Sequence, residues 1–225
     1  MSFGKLYTYK GSPRALGILA VAKSIGLDLE ESELQPVNGV PDFYWKLNPL
    51  GKTPTFEGTD GVVLTECMAI ALYITNQDPD TTLMGSTSLD FINIIRWISL
   101  TNTDVVMRIA AWVRPLIGYV PYCKEGVDKA QHDTAKVIQI FEDHLRDRKY
   151  LVSDRLTLAD IMCASLLTLG FAKVFDRAWR EDFPYFTGWY MMVTHLPIFR
   201  AVLPEVPFVA VGLPNAPPTE PFKAP

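Results

Sequence analysis

The chain has 225 residues, 48% of them hydrophobic, a formal net charge of −4 and three cysteines. This length holds one large domain or two ordinary ones, and the apolar content is ample for a packed core, which excludes a disordered chain. Acids and bases are interspersed throughout, so no basic stripe offers nucleic acid a footprint. The longest uncharged helical run, Ile161 to Ala172, is too short to cross a membrane, and Cys67, Cys123 and Cys163 have neither zinc nor redox spacing, which points to free thiols in a reducing cytoplasm.

Phe3 to Tyr9 alternates as a strand does, Gly11-Ser12-Pro13 breaks it, and Arg14 to Ile25 is apolar at helical spacing until Gly26. Leu29 to Leu34 predicts a second, edge-like strand, Pro41 to Leu47 a short helix, and Asn48-Pro49-Leu50-Gly51 a turn. Thr53 to Glu57 and Val62 to Leu64 read as short strands joined by the Gly58-Thr59-Asp60-Gly61 turn, and Thr65 opens a helix to about Asn76. The order is βαβαββα, an α/β domain over residues 1–77.

Residues 78–88 are polar and turn-rich, a linker, and residues 89–210 read as all-helical. The clearest helix start there is Leu156-Thr157-Leu158-Ala159-Asp160-Ile161, where Thr157 and Asp160 form a capping box and Leu156 and Ile161 a hydrophobic staple. That assigns Asp160 to structure, not catalysis. Residues 211–225 form a proline-rich tail, expected to lie extended over the surface or to be disordered.

Four features of the first domain converge on a ligand site. Pro54 opens a strand straight after a turn, and a cis Thr53-Pro54 bond there would leave the Thr53 backbone groups facing outward for a ligand's backbone. Leu64-Thr65-Glu66-Cys67-Met68-Ala69-Ile70 runs from strand into helix, whose first amides suit a carboxylate, with Glu66 beside them to hold an ammonium. Lys52 stands to meet a second carboxylate, and the polar run Tyr7, Tyr9, Lys10 and Ser12 follows the first strand. Such a site fits a small zwitterionic peptide. Cys67 at a helix start reads either as a thiol of lowered pKa or as a structural cysteine. His132, His144 and His195 each stand alone on helical patterns, so no metal is expected.

The stretch Asn48-Pro49-Leu50-Gly51-Lys52-Thr53-Pro54-Thr55-Phe56-Glu57-Gly58, with Leu64-Thr65-Glu66-Cys67-Met68-Ala69-Ile70-Ala71, resembles the glutathione-site signature of the glutathione S-transferase superfamily. Ser153-Asp154-Arg155-Leu156-Thr157-Leu158-Ala159-Asp160 resembles the capping segment of its helical domain. Phe56-Glu57-Gly58-Thr59-Asp60-Gly61 and Phe199-Arg200-Ala201-Val202-Leu203 are similar to the transferase-like domain of the elongation factor gamma subunit. The likeness spans about residues 3 to 210, without the gamma subunit's further domain, and so resembles a free-standing fungal copy.

The resemblance implies a thioredoxin-like domain followed by a helical one, glutathione as cofactor, and a homodimer in the cytoplasm. It implies that Thr53, ahead of Pro54, pairs with the cysteinyl backbone, that Glu66 and Cys67 hold the γ-glutamyl end, and that Lys52 holds the glycyl carboxylate. Here Thr53 stands where valine is commoner and Cys67 where serine is usual. The superfamily's thiolate donor is a hydroxyl near the end of the first strand; the order of expectation is Ser12, then Tyr9 and Lys10. Met107, Arg108 and Trp112 are expected to border the cleft for an apolar electrophile, although bundle core fits Met107 and Trp112 equally well. The implied reactions are thiol transfer to the electrophile or cis-trans isomerisation of a conjugated olefin in fungal secondary metabolism. The opposing readings are a protein-binding module without catalysis and a carrier of apolar molecules.

Overall fold

The structure, a computed structural model, describes residues 2–220 and residue 222. Strand β1 (Gly4–Thr8) runs parallel to β2 (Leu29–Glu33) and antiparallel to β3 (Thr55–Gly58), which pairs antiparallel with β4 (Val63–Thr65). The sheet order is β2-β1-β3-β4. Helices α1 (Pro13–Ser24) and α3 (Cys67–Thr75) pack together. The single-turn α2 (Tyr44–Leu47) belongs to a separate small cluster with Tyr7 and Leu34.

Three boundaries differ from the sequence reading, one of them the start of α3, at Cys67 rather than Thr65, which ends β4. The helix expected over Pro41 to Leu47 is one turn of 3-10 helix at Pro36–Asn38 and, later, α2. A single turn suffices because only Tyr44 is anchored there, fully buried, while Phe43 and Trp45 stay exposed. Strand β3 starts at Thr55 rather than Thr53, because the bend ahead of Pro54 keeps Thr53 out of the ladder.

The helical domain comprises α4 (Ser88–Leu100), a π-helical turn (Thr101–Val105), α5 (Val106–Leu116), α6 (Lys124–Leu145), α7 (Leu158–Lys173), α8 (Arg177–Glu181), α9 (Pro184–Thr194) and α10 (Pro197–Arg200). Apolar residues surround α7, which sits at the domain's centre with nearly every residue buried. The π turn has no apolar periodicity to announce it. At its start the Thr101 hydroxyl donates to the Trp97 carbonyl at 2.8 Å and reaches Cys163 Sγ at 3.1 Å.

The domains meet along α1 and α7. A methyl group at Gly17 would stand 2.6 Å from Met162 Sδ and 3.3 Å from Ser165 Cβ, so the helices approach as they do because residue 17 has no side chain. Among the described residues no helix is long and apolar enough to cross a membrane.

Of the two expectations for the tail, its described part follows the first. The Val209 and Leu213 amides donate to the carbonyls of Phe171 and Lys173, both at 2.9 Å, and the Phe208 ring packs on Phe171 and Tyr190. Asn215 accepts from the Tyr122 hydroxyl and donates to Asp128 at 2.6 Å. Pro221 and Pro225 of the predicted tail lie outside the described residues.

Candidate functional site

The turn before β3 is built around the carbonyl of Lys52. It accepts from the Tyr44 hydroxyl at 2.6 Å and the Asn48 side-chain amide at 2.8 Å, and both side chains also meet Thr55 Oγ1. Asn48 Oδ1 in turn accepts the Leu50 amide at 3.0 Å. This network fixes the backbone entering Thr53, and the Thr53-Pro54 bond is cis. Among the described residues the N–H and C=O of Thr53 make no hydrogen bond, so both remain for a ligand. Lys52 is exposed and its ammonium has no ion-pair partner among the described residues.

At the start of α3, Glu66 is the N-cap and has a left-handed φ of 69°, the one non-glycine residue among the described ones with positive φ. Backbone in that region costs free energy in a side-chain-bearing residue, and such positions cluster at ligand sites. The Glu66 carboxylate is exposed and caps nothing. Its exposure puts an acceptor beside the first amides of α3, of which those of Cys67 and Met68 also face the Cys67 thiol.

Cys67 is buried, and its Sγ lies 4.0 Å from Oδ1 of Asn102 in the π turn. Burial pushes its thiol pKa up, partly opposed by the Arg14 guanidinium. Of the two readings of Cys67, the structural one holds: desolvation outweighs the helix terminus, and the side chain faces the domain boundary.

Around the first strand the hydroxyls divide. Tyr7 is buried and donates to Glu57 Oε2 at 2.8 Å; burial, with Glu57, pushes its pKa up to about 12. It is thereby committed to the sheet. Ser12 is the N-cap of α1 and almost wholly buried, yet its hydroxyl caps no amide. Its own amide donates to the Tyr9 carbonyl at 3.0 Å, closing the turn, and Gly11 takes a φ of 74°. Tyr9 is half-buried and its hydroxyl has no partner among the described residues. Lys10 is exposed, and its amide donates to Glu33 Oε2 at 3.2 Å.

The second-substrate candidates do not come together. Trp112 is buried against Phe175 and Trp179, which is bundle core. Met107 is exposed, and half-buried Arg108 is paired with Asp104 at 2.8 Å. The sequence reading missed two residues near Cys67. Asn102 gave no signal, because a π turn has no sequence period. Arg14 could have been noticed: a cation in the first turn of a helix stands against the macrodipole, and it has no ion-pair partner among the described residues.

Residues 2–76 match the family profile of the glutathione S-transferase N-terminal domain, and residues 105–197 that of the C-terminal domain. The chain is 76% identical over 224 residues to glutathione S-transferase AN1595 of Emericella nidulans, covering 100% of this chain and 84% of that protein. It is 41% identical over 203 residues to glutathione S-transferase psoE of Aspergillus fumigatus, covering 90% and 84%. Among solved structures, the GST-like domain of elongation factor 1-gamma from Saccharomyces cerevisiae superposes with a TM-score of 0.82 at 32% identity, covering 97% of this chain and 100% of that one. The thioredoxin-like sheet domain, the helical domain and these relatives agree: the chain belongs to the glutathione S-transferase family.

Proposed function

We propose that the chain binds glutathione in the first domain and activates its thiol for addition to an electrophilic, largely apolar small molecule. The observation that carries this reading is the unpaired Thr53 backbone, flanked by uncommitted Lys52 and Glu66. Together they offer a hydrogen-bonding edge for the cysteinyl residue, a cation for the glycyl carboxylate, and an anion beside helix-end amides for the γ-glutamyl group. Ser12 supplies the hydroxyl nearest to being free and sheltered, with Tyr9 next; Lys10 contributes charge only.

Transfer of the thiol to the electrophile is one outcome. Addition to a conjugated olefin, rotation about the single bond so formed, and elimination of glutathione gives cis-trans isomerisation with the same residues. Kinship with psoE supports a place in fungal secondary metabolism. The three free cysteines suit the cytoplasm, and Leu89, Phe91 and Ile92, exposed on α4, suit a face covered by a second copy in a homodimer.

Likeness to the elongation factor domain favours one competing reading, a protein-binding module without catalysis. Calorimetric titration with glutathione separates them. Binding that is lost in Glu66→Ala supports the enzyme; no binding by the unsubstituted protein favours the module.

A further inference from the structure

Strands β1 and β4 are both antiparallel to β3, so α1 and α3, which follow them, begin at the same edge of the sheet and pack together. Arg14 lies in the first turn of α1, half-buried, with neither an ion pair nor a hydrogen bond to its guanidinium among the described residues. A cation beside two positive helix ends is unfavourable until an anion joins it. Glu66, the N-cap of α3, carries the opposite charge and is equally unpaired. Both act on one thiol, that of Cys67, whose pKa Arg14 pulls down and Glu66 pushes up. The two charges thus flank one point without pairing with each other.

The helical domain adds a third group. Asn102 of the π turn, half-buried, faces the Cys67 thiol with Oδ1 at 4.0 Å, and its Nδ2 donates to no described residue. The amides of Cys67 and Met68 are shared with the thiol, so a carboxylate at the start of α3 needs further donors.

We propose that Arg14 and Asn102 complete, with Glu66, a clamp for the α-amino-acid end of the γ-glutamyl residue: Glu66 takes the ammonium, and Arg14, with the Asn102 amide, takes the carboxylate. The inference rests on the glutathione reading above. A zwitterion set between the two charges neutralises both at once, which a neutral end does not. Because Asn102 belongs to the second domain, the domain boundary itself reads the ligand.

The test uses Arg14→Gln and Asn102→Ala in the full chain. Each is titrated by calorimetry with glutathione and with S-methylglutathione, whose thiol is blocked, and its thermal midpoint is measured. Both variants are expected to bind both ligands about tenfold to a hundredfold more weakly, the scale of a hydrogen bond to a charged group. The midpoint of the free Arg14→Gln protein should be equal or higher, because the cation it loses has no partner. Unchanged affinity in either variant would overturn the inference. So would a loss seen with glutathione but not with S-methylglutathione, which would assign Arg14 to the thiol. An Arg14→Gln chain too unstable to purify would overturn it as well, because the guanidinium would then have a structural partner. If the unsubstituted protein bound no glutathione, the functional reading itself would fall; if it bound and the variants matched it, this inference alone would.

Discussion

His144 and Asp160 hold the same residue by its two backbone groups: His144 Nε2 donates to the Leu151 carbonyl at 2.9 Å, and the Leu151 amide donates to Asp160 Oδ1 at 2.9 Å. Asp160 also accepts from the Thr157 amide and hydroxyl and from the Trp189 indole, so one buried carboxylate joins the loop before α7, the helix start and α9.

Replacing Asp160 with alanine leaves the Leu151 amide and the Trp189 indole unpaired in the core. A cost of roughly 3 kcal/mol in unfolding free energy is expected, more than a lost cap alone would give. Denaturant unfolding measures it. Glutathione affinity of the folded variant should stay the same; a weakened affinity would give Asp160 a role in the site.

The other half of this clamp is sensitive to pH. Burial, the main cause, holds the His144 pKa below its ordinary value, against the pull of the Leu151 carbonyl. The unfolded chain therefore binds a proton before the folded one as pH falls through about 6.5, and stability declines with acidification from there until the folded pKa is passed. His144→Gln should flatten the stability profile as pH falls below about 6.5, read as thermal midpoint against pH.

Ser12 and Tyr9 are distinguished by turnover. Ser12→Ala is expected to lower kcat by about a hundredfold, the scale of one lost oxyanion donor, with glutathione affinity little changed. Full turnover in Ser12→Ala together with its loss in Tyr9→Phe would reverse the order of the two.

Tyr7 provides the contrast. Its hydroxyl is bonded to Glu57, so Tyr7→Phe should cost about 1 kcal/mol of stability and leave kcat unaltered. A fall in kcat at constant glutathione affinity would place the thiolate donor at Tyr7.

The sheet domain was legible because its period-2 strands, Gly turns and cis-compatible proline are local signals. Thr53, Glu66 and Lys52 were singled out for the same reason, standing close together in sequence; that they hold glutathione is the proposal made above. Sequence left Cys67 with two readings, because a helix start is visible there, whereas Asn102 and the domain that buries the thiol are not. Trp112 shows the converse limit: apolar residues at helical spacing look alike whether they face a cleft or, as here, Phe175 and Trp179. Ser165, whose hydroxyl meets α1 of the first domain, gave no hint, since its partners Pro13 and Gly17 lie about 150 positions away.

The π turn between α4 and α5 offsets the two helices against each other. An i+5 turn absorbs one residue more than an α-helical turn would, so α4 and α5 each keep their own apolar face although the chain between them is one position out of phase. The register of α5 against Cys67 is therefore set by the length of the π turn, through Asn102.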